Sequence, residues 1–169
     1  MNLSEAIDFL EKNQPLPDDS SLEGNPEILN TYNEVRKYFL DNPNPICIPL
    51  FLNSFGEGSG FGAYQLIEDV LLKYLPEQVM PHLIEGLNSA QYEIRYWNTQ
   101  IASSFPDEDL IEPLAKLLSD NSPDIRYMAV VALSEINDQR VISLIQTALK
   151  EEEDTEVMEL IEDVIKKSC

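Results

Sequence analysis

Apolar residues recur along this chain at the three- and four-residue spacing of amphipathic helices, and no segment sustains the alternation of a half-buried strand. The stretch from Pro106 to Ile136 is the clearest case. Leu110, Ile111, Leu114, Leu117 and Leu118 form one helical stripe, SDNSPD at 119–124 reads as a turn, and Ile125, Met128, Ala129, Ala132, Leu133 and Ile136 form a second stripe. Asp124 stands where a side chain caps such a helix or favours its dipole. The unit this pattern predicts is a pair of antiparallel helices.

The same pattern repeats. EIRYWNTQIASSFPDEDLIEPLAKLLSD from Glu93 overlays DIRYMAVVALSEINDQRVISLIQTALKE from Asp124 at a shift of 31, with Ile94 on Ile125, Arg95 on Arg126, Tyr96 on Tyr127 and Leu110 on Val141. Carried backwards, the shift places Val70 on Ile101 and Tyr74 on Phe105; carried forwards, it reaches Val157 after one inserted residue. A period of this size marks stacked supersecondary units that bury their apolar faces against one another. Three helix pairs are expected at 45–76, 77–107 and 108–138, with a fourth at 139–167 closing the stack. The fold class is therefore all-α, an α-solenoid of stacked antiparallel helix pairs.

Residues 1–44 lie outside this period and are expected to form helices that cap the exposed apolar end of the stack, as terminal repeats require. SEAIDFLEKN at 4–13 predicts a helix with Ser4 as N-cap, PLPDDSSLEGN a linker, and NPEILNTYNEVRKYFLDNP a helix capped by Asn25 with Pro26 in its first position. Ile28, Leu29, Val35, Tyr38, Phe39 and Leu40 are available to cover the stack, or to extend a binding surface. Residues 1–44 and 45–169 are read as one folding unit.

SPDIRYMAVVALSEINDQRVISLI resembles the HEAT-like repeat first noted in phycobilisome lyases, whose second helix opens with an aspartate, a branched apolar residue and an arginine and continues with alanine and leucine. The second repeat keeps Ile94 and Arg95, whereas Tyr64 and Met158 occupy the arginine column in the first and fourth. What this resemblance implies is a HEAT-like superhelix that binds something along a groove, with Arg95 and Arg126 as rungs tied to acidic neighbours such as Asp107 and Asp138. It implies no particular activity.

Charge narrows the partner. Eleven Lys and Arg face 31 Asp and Glu, a net charge of −20, which argues against nucleic acid or an anionic membrane and favours a basic protein. No basic, apolar leader occurs at the N-terminus, and the longest apolar run, ICIPLFL at 46–52, is too short to span a bilayer. Cys47 and Cys169 have no spacing that suggests a disulfide framework or metal site, so a reducing cytoplasm is expected.

Catalytic chemistry is absent from the pattern. The one histidine, His82, sits on a first helix with no nucleophile elbow in the chain, so neither a Ser-His-Asp nor a Cys-His arrangement is expected, and no cofactor or metal. EEED at 151–154 lacks the spaced ligands and glycine of a calcium loop and reads as a solvated turn. FGEGSGFGAY at 55–64 looks at first like a phosphate cradle. It lacks GK[ST] and GxGxxG, no strand precedes it, and Glu57 stands where an anion would sit, so it is read as the inter-helix loop of the first pair. Phe55, Phe61 and Tyr64 then either touch a partner or fold back on the N-terminal helices.

With Ile125 as position zero, positions two, five, six and nine of each second helix are expected to face outward along a concave groove. They are Gln65, Glu68, Asp69 and Leu72; Tyr96, Thr99, Gln100 and Ser103; Tyr127, Val130, Val131 and Ser134; and Glu159, Glu162, Asp163 and Lys166. Aromatic and apolar residues at the centre with carboxylates at both ends suit a protein-binding patch, and Trp97 is assigned to the core. The candidate contact residues are Glu68, Asp69, Tyr96, Gln100, Tyr127, Val131, Glu159 and Glu162, with Phe61 and Tyr64 at the edge. The function expected is non-catalytic binding of a basic protein by a monomeric cytoplasmic chain, with a bacterial immunity protein neutralising a toxin as one specific form. The alternatives are a lyase or chaperone-like factor of the phycobilisome-lyase type, or a scaffold or regulatory protein.

Overall fold

A computed structural model describes residues 1–168, which hold eleven α-helices, three 3-10 turns and no strand; Cys169 lies outside the described residues. The chain divides into two compact units, Met1–Trp97 and Asn98–Cys169.

The first unit contains α1 (Leu3–Lys12), α2 (Asp19–Gly24), α3 (Pro26–Asp41), α4 (Cys47–Leu52), α5 (Ile67–Leu71) and α6 (Pro76–Leu87), and α7 (Tyr92–Ala102) begins in it. The cap of α1 is Asn2 rather than Ser4. Asn2 Oδ1 accepts from Glu5 N at 3.0 Å and the Glu5 carboxylate accepts from Asn2 N at 2.8 Å, a reciprocal capping box that satisfies two otherwise orphaned donors. Pro26 does open α3, but the Asn25 side chain makes no capping bond. The expected linker at 15–25 carries a helix, because Asp18 accepts from Ser21 N at 2.9 Å and Leu22 is driven into the core.

An aromatic core organises this unit. Tyr32 and Phe39 of α3 meet Phe51 of α4 edge to face at 5.8 Å each, and Tyr64 meets Tyr32 at 6.2 Å. Phe55 stacks on Trp97 at 5.9 Å, and Tyr64 meets the same indole at 5.5 Å. Edge-to-face and offset geometries are those the ring quadrupole favours. Tyr32 donates to Ser54 Oγ at 2.7 Å, since the serine hydrogen is used on Phe51 O at 2.8 Å. The tyrosine hydroxyl is thereby buried without an unmet donor.

The second unit contains the rest of α7 together with α8 (Ile111–Leu117), α9 (Pro123–Ser134), α10 (Gln139–Ala148) and α11 (Thr155–Lys167). Here α9 packs on α8, α10 and α11. The expected stripes form the core: Ile125, Ala129, Ala132 and Leu133 are fully buried, as are Leu114 and Ile145. Each leucine or isoleucine so placed contributes about 1.5–3 kcal/mol of burial. Ser122 caps α9 by accepting from Ile125 N, while Asp124 lies in the first turn and acts through the helix dipole.

One hydrogen bond shows that the 31-residue shift is structural. Arg95 Nη1 donates to Ser89 O at 2.8 Å and Arg126 Nη1 donates to Asp120 O at 2.9 Å, the same bond one period apart. The first pair departs most from the ideal. Its second helix is broken into 3-10 turns at Gly60–Gly62 and Tyr64–Leu66 before the short α5, because Gly58, Gly60, Phe61 and Gly62 all adopt positive φ.

Candidate protein-binding surface

In the second unit α9 and α11 pack on each other. Tyr127 is 36% exposed and Ser134 is exposed on α9, with Val131 half-buried between them; Glu159, Glu162, Asp163 and Lys166 are exposed on α11. Lys166 is 3.8 Å from Glu162 and 3.5 Å from Asp163, surface pairs that leave this face acidic. Gln100 is half-buried.

Position five is a correction. Thr99 and Val130 are fully buried; for Val130 this is because α9, flanked on several sides, has a wider apolar arc than a single stripe. The outward columns of the central repeats are therefore positions two, six and nine.

In the first unit Asp69, Gln65 and Leu72 are exposed and Glu68 is half-buried. Tyr96 is half-buried, stacked on Tyr92 at 6.0 Å and edge to face with the buried Trp97 at 5.4 Å. Tyr64 leaves the candidate contact set. Its ring is fully buried against Tyr32 and Trp97, and its hydroxyl accepts from Gly56 N at 3.1 Å, so it presents nothing to a partner. Phe55 folds inward in the same way, whereas Phe61 is 57% exposed.

The glycine-rich loop does hold an anion, contrary to expectation, and the anion is the protein's own. The Asp19 carboxylate accepts from Ser59 N at 3.0 Å, from Gly60 N at 2.9 Å and from Ser59 Oγ at 3.3 Å. Successive backbone N–H groups in left-handed and turn conformations form the concavity that such an anion fills. Leu16 N to Ser54 O at 2.9 Å and Asp19 N to Glu57 O at 3.1 Å clamp the segment after α1 along the loop. Gly56 is required by this clamp, since a Cβ there would collide with the Leu16 carbonyl.

Arg126 does act as a rung, but to a partner other than Asp138. Its guanidinium makes a two-pronged bond to Glu152, Nε to Oε2 at 2.8 Å and Nη2 to Oε1 at 2.7 Å. Glu152 Oε1 also accepts from Glu153 N and Asp154 N, and its side chain is 3% exposed. EEED is thus a fixed turn built on a buried ion pair, and Arg126 holds the Glu152 carboxyl below the usual carboxylate range. Asp138 instead caps α10 and pairs with Arg140 at 2.8 Å, which holds its carboxyl down at about 2. Asp107 caps the turn before α8 by accepting from Asp109 N.

The remaining titratable candidates have structural surroundings. Cys47 is buried with Sγ 3.3 Å from the Tyr74 hydroxyl, and desolvation pushes its thiol up to about 11, away from nucleophilic use. His82 lies 3.7 Å from Glu85 on the same helix. Among the described residues no group of three or more His, Cys, Asp and Glu is placed to hold a metal ion, and no helix is long and apolar enough to cross a membrane. A groove of about 840 Å³ between α8 and α10, lined by Ile111, Ala115, Lys116, Arg140 and Leu144 among others, had no sequence signal, because its polar and apolar members come from two helices each read separately.

These paired helices, with the same arginine bond repeated one period apart, define an α-solenoid. The family pattern of HEAT repeats matches residues 80–166, just over half of the chain, and the chain belongs to this family. HEAT repeats are typically protein-interaction modules and generally not enzymes. No curated protein matches the chain.

Proposed function

We propose that this protein is a non-catalytic binding module that docks a basic protein partner on its acidic second-helix faces. The observation that carries the reading is the pair of packed helices α9 and α11, the first exposing Tyr127 with Val131 half-buried and the second exposing the carboxylates Glu159, Glu162 and Asp163. A half-exposed aromatic beside a charged rim has the composition of an interface hot spot. A net charge of −20 supplies long-range attraction for a cationic partner.

Within this reading the protein is a monomeric cytoplasmic immunity protein that neutralises a basic toxin, and residues 1–44 cap the repeats. The specific form rests on acidity, size and repeat type. A toxin gene directly upstream, whose purified product binds this chain, supports it; a partner with no toxic activity removes it. Binding itself is tested by capturing partners on the tagged protein, identifying them, and titrating the purified partner at several salt concentrations. Affinity is expected to fall with salt and with the paired change Glu159→Lys and Glu162→Lys. Salt-insensitive binding that this charge reversal leaves intact would overturn the proposal.

A further inference from the structure

Three of the arginines in this chain are held by the fold and one is not. Arg95 donates to Ser89 O, Arg126 grips Glu152 and Arg140 grips Asp138. Arg36, on α3, is half-buried, yet its guanidinium makes no ion pair and no hydrogen bond among the described residues, and its Nε is buried without an acceptor. Lys37, exposed beside it, is likewise unpaired among the described residues.

Scarcity of carboxylates is not the reason, since the chain has 31 Asp and Glu. Their placement is the reason. The positions three and four residues away along α3, where a helix forms its ion pairs, hold Tyr32, Asn33, Phe39 and Leu40. Burial pushes the Tyr32 hydroxyl above its ordinary range and the Arg36 charge acts in the opposite sense, so the guanidinium lies close enough to act on this fully buried group. Nor does the side chain escape by losing its proton, because a guanidinium is not deprotonated in a protein. A half-buried charge without a counter-charge is costly, and local violations of this kind concentrate at functional sites.

A guanidinium presents its N–H groups in a planar fork that matches two oxygens of one carboxylate or phosphate. We infer that Arg36, with Lys37 beside it, is a binding site for an oxyanion, the carboxylate or phosphate group of a ligand, which meets the Nη groups of the fork. The site lies on α3 in the first unit and does not depend on α9 and α11 being the docking surface for a basic protein.

The test uses isotopically labelled full-length protein, whose few arginine Nε–H signals are resolved by NMR, with Arg36→Lys identifying the one that belongs to Arg36. Sodium phosphate and sodium acetate are titrated separately, against sodium chloride at equal ionic strength. A saturable shift of the Arg36 signal is expected, and whether phosphate, acetate or both cause it tells which oxyanion the fork takes. The same anion should raise the midpoint of thermal unfolding in the wild type, less in Arg36→Lys and not in Arg36→Met. Without anion, Arg36→Met should unfold at the same urea concentration as the wild type or a higher one, because an unpaired charge has been removed. No saturable movement of the Arg36 signal with either anion, or equal movement of all the arginine signals, would overturn the site. A clearly lower urea midpoint in Arg36→Met would overturn it too, by making the guanidinium a structural group.

Discussion

Replacing Glu152 by glutamine isolates the strongest polar contact in the second unit. The substitution keeps size and shape but removes the charge that faces Arg126 and turns one of the two acceptor oxygens into an NH2 donor, so the guanidinium keeps at most one bond to this side chain beside those to the Asp120 and Asn121 carbonyls. Breaking a buried pair by removing one partner costs about 3–5 kcal/mol. Arg126 retains 17% side-chain exposure against 3% for Glu152, so water recovers part of that cost and about 2–3 kcal/mol is expected. At about 2–4 °C per kcal/mol for a chain of this length, the midpoint of thermal unfolding should drop by about 4–12 °C. The pH dependence has a defined sign. The Glu152 carboxyl is lowered in the folded state from an ordinary value of 4.5, so its contribution is fully present above that value and is lost as pH falls through the depressed one. Urea unfolding at neutral pH and at successively lower pH should therefore show a gap between wild type and Glu152→Gln that closes on acidification. Replacing both partners, Arg126→Met with Glu152→Leu, should recover part of the loss, because no charge is left buried while the Glu153 and Asp154 N–H groups lose their acceptor. A single-variant loss below about 0.5 kcal/mol, or a gap that does not change with pH, would refute the assignment of this pair as a buried structural rung.

Two further substitutions test the local geometry. Val130→Ala should cost about 2 kcal/mol in urea unfolding, since its side chain is fully buried, whereas Val131→Ala should stay within about 0.5 kcal/mol; equal losses would mean that the outward face of α9 is assigned wrongly. Gly60→Ala places a Cβ 2.7 Å from the Tyr64 ring on a backbone at φ 55 and should cost about 1–3 kcal/mol, while Gly24→Ala, with nothing within 4 Å, should be tolerated; parity between the two would contradict the loop described here.

The repeat was legible because burial imposes it. Positions such as Ile94 and Ile125 or Leu110 and Val141 meet equivalent neighbours, and the shared helix spacing carries that requirement into the sequence. Interactions that join distant segments left no such trace. Nothing in DDSSLEG announces that Asp19 fills the glycine loop some forty residues on, and nothing in EEED distinguishes the buried Glu152 from its exposed neighbours Glu151 and Glu153. Tyr64 and Phe61 show the same difficulty in miniature. Both are aromatic and three residues apart, and only the run of positive φ, which turns one ring inward and one outward, separates them. Val130 was misplaced for a different reason: a single-helix wheel assumes one packing partner, and α9 has three.

If acidic helix faces of this HEAT-repeat module grip a basic protein, the dissociation constant for the identified partner, measured against salt for wild type and for the charge-reversed pair Glu159→Lys and Glu162→Lys, should separate the two proteins. A steep loss of affinity with salt is expected in the wild type, and in the variant weaker binding with a shallower slope. Affinities and slopes that coincide for the two proteins would contradict it.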